Sequence, residues 1–237
     1  MAAALKTLIV PPVGGGMPSA TVFLLHGLGD TAQGWMDVAR MLGQNQALQH
    51  VRFVLPTAPV QPVTVNMGMK MTSWFDLYSL TSMDEGEDEA GLMKSTEAIR
   101  GLVQEEINGT ASQLNGHKVP SSRIVVAGFS QGGAISLLTG LTSPAKLAGV
   151  GALSTWLPMY AKVPAMRTQS DFPIFQAHGT SDQIVDFKFG ESTHKHLAND
   201  LGFNKLAEFF PYEGMQHSAS PQEIIDFGKW LERVLPI

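Results

Sequence analysis

The chain has 237 residues, of which 44% are hydrophobic and 16% are charged, and this composition excludes an intrinsically disordered chain. The net charge of −5 argues against nucleic acid as a partner. The sequence contains no cysteine, which excludes a disulfide framework, a thiolate nucleophile and a cysteine-ligated metal.

The N-terminal segment does not look like a targeting signal. Its short apolar run is interrupted by Pro11 and Pro12, no apolar stretch of the chain is long enough to span a bilayer, and neither terminus carries a lipidation motif. We therefore expect a cytoplasmic protein without a stable membrane anchor. At this length we expect a single domain over residues 1–237, with an irregular segment at 1–19.

Short apolar runs alternate with segments of helical period, a pattern typical of an α/β fold with a mostly parallel central sheet and helices on both faces. Strands are predicted at 21–25, 51–55 (stopped by Pro56), 124–127, 148–153, 172–177 and 206–210. Helices are predicted at 32–42, 87–107, 133–138, 189–201 and 221–234, the last capped by Ser220. Residues 59–80 have prolines and no clean period, which predicts a long irregular excursion, and such loops are usually functional. The acidic cluster 84–89 is interpreted as favourable charge at a helix N-terminus rather than as a metal site.

The most informative motif is Gly-Phe-Ser-Gln-Gly at 128–132. It follows a predicted buried strand and precedes a helix of small residues, which is the context of a nucleophile elbow. Gly128 and Gly132 allow the strand and the helix to approach closely, and Ser130 is left at the helix N-terminus. The motif predicts a serine hydrolase with Ser130 as its nucleophile.

A serine hydroxyl needs an imidazole base, and that base needs an orienting carboxylate. In the fold that carries this elbow, the acid and then the base follow the serine in chain order, each in a loop after a later strand. Asp182 and Asp186 both follow the strand predicted at 172–177. We favour Asp182 because it is nearer the strand end, whereas Asp186 suits a surface or capping position.

Seven histidines compete for the role of base. Four of them precede the serine or the acid and are rejected by chain order. His194 and His196 fall in a predicted helix, where a solvated face explains them. His217 follows the last predicted strand and precedes the final helix, so we select it. For the oxyanion we select the backbone N–H groups of Leu28 and Gln131. Such a site needs no metal and no cofactor.

Several further blocks carry a family resemblance. They are residues 26–30, 59–62, 73–76, 87–91, 128–133, 153–158, 178–179 and 213–218. In this order they resemble the acyl-protein thioesterase and lysophospholipase family, small cytosolic carboxylesterases of the α/β-hydrolase fold, over residues 21–236. The resemblance implies hydrolysis of acyl thioesters in S-acylated proteins, of lysophospholipids and of small carboxylic esters. It assigns the triad to Ser130, Asp182 and His217, and the oxyanion donors to Leu28 and Gln131.

The segment 63–71 carries three methionines, and adaptable thioethers suit the lining of an acyl groove. We expect Met71, Trp74 and Trp156 to bind substrate, the alternative being that they fill the core beneath a loop. The chain lacks the lipidated N-terminal cysteine of well-known family members, and Thr155 stands where cysteine is common. We expect neither departure to touch the chemistry. A general short-chain carboxylesterase and, less favoured, a non-catalytic hydrolase-fold receptor stay open, as do a monomer and a weak homodimer.

Overall fold

The computed structural model of the protein describes residues 5–79 and 86–237. The strands in these ranges are β1 (Lys6–Val10), β2 (Ala20–Leu25), β3 (Val51–Thr57), β4 (Val60–Val63), β5 (Met69–Thr72), β6 (Ile124–Phe129), β7 (Gly149–Leu153), β8 (Ile174–Gly179) and β9 (Ala207–Tyr212). The α-helices are α1 (Met36–Gln44), α2 (Glu89–Asn108), α3 (Gln131–Thr142), α4 (Val163–Met166), α5 (Phe187–Lys195) and α6 (Pro221–Val234). A π-helical segment, His196–Asp200, continues α5.

Among the described residues, seven strands form the main sheet in the order β1-β3-β2-β6-β7-β8-β9, and all neighbours are parallel except β1 and β3. One core packs α2 and α3 against one face of the sheet, and a second core packs α1 and α6 against the other. Strands covered on both faces are mostly apolar and buried, as β2 and β6 to β8 are, although β2 includes the buried Thr21 and β8 the buried Gln176 and His178. The predicted mostly parallel sheet with helices on both faces is confirmed.

The expectation of an irregular segment at 1–19 is wrong for part of its length. Residues Lys6–Val10 form β1, an antiparallel edge strand whose Lys6 lies opposite Thr57. The predicted end of β3 before Pro56 is also wrong, since β3 continues to Thr57. Proline is tolerated there because β2 pairs with β3 only as far as Val54, so that Pro56 lies where β3 has a neighbour on one side only.

The excursion predicted at 59–80 is not irregular throughout. Strands β4 and β5 pair as a hairpin, with Val63 opposite Met69, and the turn uses left-handed backbone at Met67 and Gly68. The carboxylate of Asp76 fastens the hairpin by accepting hydrogen bonds from the backbone N–H and the hydroxyl of Thr64, at 2.7 and 2.6 Å. Leu80, the end of the predicted excursion, lies outside the described residues.

The helix at the acidic cluster begins at Glu89, and Asp88 caps it by accepting a hydrogen bond from Gly91 N–H at 2.9 Å. Asp84 and Glu85 of the same cluster lie outside the described residues. None of the helices in the described ranges combines the length and the apolar composition that crossing a membrane requires.

Helix α6 begins as predicted, with Ser220 as its cap and Pro221 in its first turn. Ser220 Oγ accepts from Glu223 N–H, and Glu223 Oε2 accepts from Ser220 N–H, both at 3.1 Å. Glu223 is fully buried, and its other carboxyl oxygen has no hydrogen-bond partner among the described residues. Burial raises the pKa of Glu223 to about 7, although the Ser220 N–H acts to lower it.

We expect Glu223→Gln to stabilise the protein at alkaline pH. The folded state holds this proton more tightly than the unfolded state, so the wild-type free energy of unfolding falls as the pH rises from 4.5 through about 7, and then levels off. The neutral amide keeps the capping bond and avoids this loss. Its advantage should grow by about 1–3 kcal/mol between pH 5 and pH 8, measured by urea unfolding. The exposed Glu213 provides the control, since Glu213→Gln should show no such pH-dependent gain. Equal gains in both variants would contradict the prediction.

Candidate active site

Ser130 lies in the sharp turn between β6 and α3, with φ 53° and ψ −122°. A positive φ is unfavourable for a residue with a side chain, and such strain is held only where the surroundings impose it. A Cβ on Gly128 would lie 2.4 Å from the carbonyl carbon of Gly132, and a Cβ on Gly132 would lie 2.3 Å from Leu25 O. The two glycines therefore permit the close contact of strand and helix that the motif predicts.

Asp182 lies in the loop between β8 and α5, and its side chain is fully buried. One carboxyl oxygen accepts hydrogen bonds from the backbone N–H groups of Ile184 and Val185, both at 2.9 Å. The other oxygen is 2.7 Å from Nδ1 of His217. Asp182 and His217, which are 35 residues apart in sequence, are thus directly hydrogen-bonded.

The Asp182 carboxyl stays ionised in this setting. Burial acts to raise the pKa of Asp182, but hydrogen bonds from His178 and His217 and the charge that His217 can carry outweigh burial, so the pKa lies well below its usual range. Because an ionised carboxylate only accepts hydrogen bonds, Nδ1 of His217 must be the donor. Nε2 of a neutral His217 is then an acceptor, which is the tautomer that a general base requires.

Ser130 and His217 line the same cavity, which has a volume of about 220 Å³. The imidazole of His217 packs against the ring of Phe129, with centroids 4.7 Å apart. Within the described residues, the Ser130 hydroxyl and the His217 ring form no hydrogen bond with each other. Such contacts are often long in unliganded enzymes and shorten when substrate binds. The structure therefore places the two groups in one cavity, and the hydrogen bond between them is the one contact of the catalytic arrangement that has still to form.

The predicted oxyanion donors, Leu28 and Gln131, line this cavity too. Gln131 N–H is at the first position of α3, where an amide has no partner within the helix. The segment before Leu28 lies directly against the nucleophile, because a Cβ on Gly27 would be 3.4 Å from Ser130 Cβ. The side chain of Gln131 takes no part in binding the oxyanion. Its amide oxygen accepts from Trp74 N–H at 3.1 Å, and its NH₂ donates to Phe75 O at 3.0 Å.

Of the three side chains predicted to bind substrate, only Trp156 is among the cavity-lining residues. Trp74 is 1% exposed, and its indole N–H donates to His26 O at 2.8 Å, so its place is the core. Met71 stands behind Asn66, whose amide donates to the thioether at 3.2 Å. Asn66, not Met71, faces the cavity. For Trp74 the structure supports the alternative, a place in the core, whereas Met71 is a half-buried residue of the hairpin strand β5 that does not line the cavity.

Sequence reasoning missed most of the apolar lining of the cavity. The missed residues are Val65, Leu77, Phe129, Ile184 and Val185. The methionines at 67 and 69 correctly indicated that this hairpin borders the cavity, but their own side chains are 90% and 55% exposed. Of the missed residues, only Ile184 and Val185 carried a usable signal, since they lie two and three residues after a predicted acid in a strand-end loop.

The rejected candidates have other roles. Asp186 caps α5 by accepting from Lys188 N–H at 3.0 Å, which confirms its capping interpretation. The expectation that His196 is solvated is wrong, because it is 5% exposed. Its ring stacks on Tyr160 with centroids 3.8 Å apart, and its Nδ1 is 2.7 Å from Asp200.

Comparison with known proteins agrees with this geometry. The sequence profile of a family described as Phospholipase/Carboxylesterase matches residues 13–235. The chain belongs to this family. It is therefore a hydrolase of the α/β-hydrolase fold, of the serine type that acts on carboxylic esters.

Named relatives of this phospholipase/carboxylesterase are similar over nearly the whole chain. Acyl-protein thioesterase 1 of Mycosarcoma maydis is 56% identical over 235 residues, covering 98% of each chain. Acyl-protein thioesterase 1 of Cryptococcus neoformans is 42% identical and covers 92% of this chain and 93% of its own. The crystal structure of Zea mays acyl-protein thioesterase 2 superposes with a TM-score of 0.82 at 27% identity, covering 97% of this chain and 99% of that chain.

Proposed function

We propose that this protein hydrolyses acyl thioesters and carboxylic esters through an acyl-serine intermediate formed on Ser130. The observation that carries the proposal is the 2.7 Å hydrogen bond between the buried Asp182 and His217, in a cavity that His217 shares with the strained serine. This arrangement supplies a nucleophile, a base and a group that orients the base, which is the minimum set for acyl transfer.

In the first step, Ser130 Oγ attacks the acyl carbonyl while Nε2 of His217 takes the hydroxyl proton. Asp182 holds the ring in the accepting tautomer and stabilises the imidazolium that forms. The carbonyl oxygen becomes an oxyanion, and the N–H groups of Leu28 and Gln131 donate to it. Collapse of the tetrahedral intermediate breaks the bond to sulfur or oxygen, and the imidazolium returns its proton to the leaving thiolate or alkoxide.

In the second step, His217 takes a proton from water, and the resulting hydroxide attacks the acyl-serine. The same two N–H groups stabilise the second oxyanion. Its collapse releases the carboxylic acid, and the proton held by His217 restores the Ser130 hydroxyl. The serine, the base and the acid are unchanged at the end of the cycle.

The proposed substrates are S-acylated proteins, and lysophospholipids are a second class with the same acyl chemistry. Relatives 56% and 42% identical are named acyl-protein thioesterases, and the cavity lining is mostly apolar, as an acyl chain needs. Trp156 and Val65 belong to this lining. The cytoplasmic location expected from the sequence, and the monomer or weak homodimer, stay predictions.

The test is the kcat/KM of cysteine-containing peptides acylated with acetyl, octanoyl or palmitoyl groups. We expect octanoyl to exceed acetyl by about tenfold or more, because each buried methylene adds up to about 0.8 kcal/mol of transition-state binding. Ser130→Ala should lose turnover at every chain length. A preference for acetyl would indicate a short-chain carboxylesterase, and full turnover by Ser130→Ala would exclude the acyl-serine route.

A further inference from the structure

The backbone of Ser130 is held on one side by the last residue of β7 and on the other by the segment that follows this strand. Ser130 N–H donates to Leu153 O at 2.9 Å. Ser130 O accepts two hydrogen bonds, from the hydroxyl of Thr155 at 2.7 Å and from Ala134 N–H at 3.1 Å. The Ala134 bond is an ordinary bond of the first helical turn, whereas the Thr155 bond comes from a different strand-end loop. A side chain 25 residues away thus contacts the strained backbone at the nucleophile.

The carbonyl that Thr155 contacts belongs to the same peptide group as Gln131 N–H. A trans peptide is planar, and its C=O and N–H point in opposite directions. A hydrogen bond that fixes the direction of Ser130 O therefore also fixes the direction of the Gln131 N–H bond. It polarises the amide as well, since accepting a hydrogen bond at the oxygen makes the N–H a stronger donor.

We infer that Thr155 is a positioning residue for the oxyanion hole. It orients and polarises the peptide whose N–H, that of Gln131, receives the developing negative charge. The inference rests on the proposed function, in which Ser130 forms the acyl-enzyme. It also corrects the expectation that the threonine at this position does not touch the chemistry, because its hydroxyl is one hydrogen bond from the catalytic peptide.

The surroundings of Thr155 favour this single hydroxyl orientation. The residue is 1% exposed, so solvent has no free access to replace the hydroxyl. Its methyl group packs on the first turn of α3, where a Cβ on Gly133 would be 2.7 Å from Thr155 Cγ2. The other acceptor near the hydroxyl, Trp156 O, is at 3.4 Å, against 2.7 Å for Ser130 O. The shorter contact is the one that acts on the oxyanion donor.

The test compares Thr155→Val with Thr155→Ser and Thr155→Cys, using the same acyl-peptide substrate. Valine keeps the shape and removes the donor, so kcat should fall about three- to tenfold while KM changes less than about twofold. Serine keeps the donor and should retain kcat within about twofold. Thr155→Cys introduces a weak donor of similar size, so its kcat should lie between those of the valine and serine variants.

A second readout separates oxyanion stabilisation from a loss of packing. Ser130 adds to the carbonyl of a trifluoromethyl ketone that carries the acyl chain, and the adduct places an oxyanion in the hole, whereas the corresponding alcohol has no carbonyl and does not. Thr155→Val should weaken binding of the ketone by the same factor as kcat and leave the inhibition constant of the alcohol unchanged. Thermal unfolding of each variant identifies any that fail to fold. If Thr155→Val fails to fold, kcat and ketone binding are compared between Thr155→Ser and Thr155→Cys.

The inference is overturned if Thr155→Val keeps kcat within about twofold of wild type, if Thr155→Ser loses as much as valine, or if the whole change lies in KM. Ser130→Ala is assayed in parallel. Turnover by that variant would overturn the proposed function itself. An inactive Ser130→Ala beside a fully active Thr155→Val would overturn only the role of Thr155.

Discussion

Asp182→Asn is expected to lower kcat by about 10⁴-fold, and it should also lower the free energy of unfolding at neutral pH, because the depressed pKa of Asp182 means that its ionised form stabilises the folded state. In the wild type, one carboxyl oxygen accepts from two backbone N–H groups, those of Ile184 and Val185. An asparagine must keep its only oxygen on these donors, so its NH₂ faces His217. The ring then accepts at Nδ1 and carries its proton on Nε2. Because that nitrogen cannot take the Ser130 proton, the base is lost although the side chain has the same shape.

Asp186→Asn is the matched control for this substitution. Asp186 is four residues further along and caps α5 with its carboxylate. Asparagine is an equally good helix cap, so both kcat and stability should stay near the wild-type values. The measurement is steady-state turnover of an acyl-peptide by both variants, with urea unfolding as the check on stability. A kcat for Asp182→Asn within about tenfold of wild type would show that Asp182 does not set the His217 tautomer.

Gly132→Ala is expected to lower the free energy of unfolding by about 2–4 kcal/mol. The added Cβ would lie 2.3 Å from Leu25 O and 2.6 Å from His26 O. These are backbone atoms at the end of a central strand, so they cannot move aside as a flexible side chain can. The strand and α3 must separate, and the folded fraction should also lose activity because Ser130 moves with the helix.

Gly101→Ala provides the opposite case. Gly101 lies within α2 and is exposed, and apart from its chain neighbours and the adjacent backbone of its own helix, none of the described residues has an atom within 4 Å of the position that a Cβ would take. Alanine should therefore stabilise the protein by about 0.5–1 kcal/mol, because it restricts the unfolded chain at a helical position. The free energies of unfolding of Gly132→Ala and Gly101→Ala, measured with urea, should therefore change in opposite directions. A Gly132→Ala protein as stable as wild type would mean that the elbow does not depend on this contact.

Local rules made the main sheet predictable. Six of its strands could be placed from apolar runs, because strands in a sheet covered on both faces are mostly apolar. Strand β1 was missed because its short apolar run is followed at once by Pro11 and Pro12; its half-buried place at the sheet edge does not explain the miss, since β9 shares that place and was predicted. The β4–β5 hairpin was missed because one strand contains Pro62 and the turn requires the left-handed conformation at Met67, which sequence preferences disfavour.

Chain order and loop position selected Asp182 and His217, and the structure places these two side chains 2.7 Å apart. The same reasoning could not place Trp74. An aromatic residue beside a functional loop has equal reason to line a cavity or to fill the core. Only the hydrogen bond from its indole to His26 O shows which of the two it does.

The amino-acid sequence by itself determined the alternation of strands and helices, the elbow at Ser130 and the order of its partners, because these depend on neighbouring residues and on backbone conformations that few residues allow. Only the tertiary structure decided which side chains line the cavity and that Thr155 contacts the nucleophile's peptide. Those features depend on loops from different strands meeting at one edge of the sheet. Distances between such loops are set by packing of the whole core, and no local pattern encodes them.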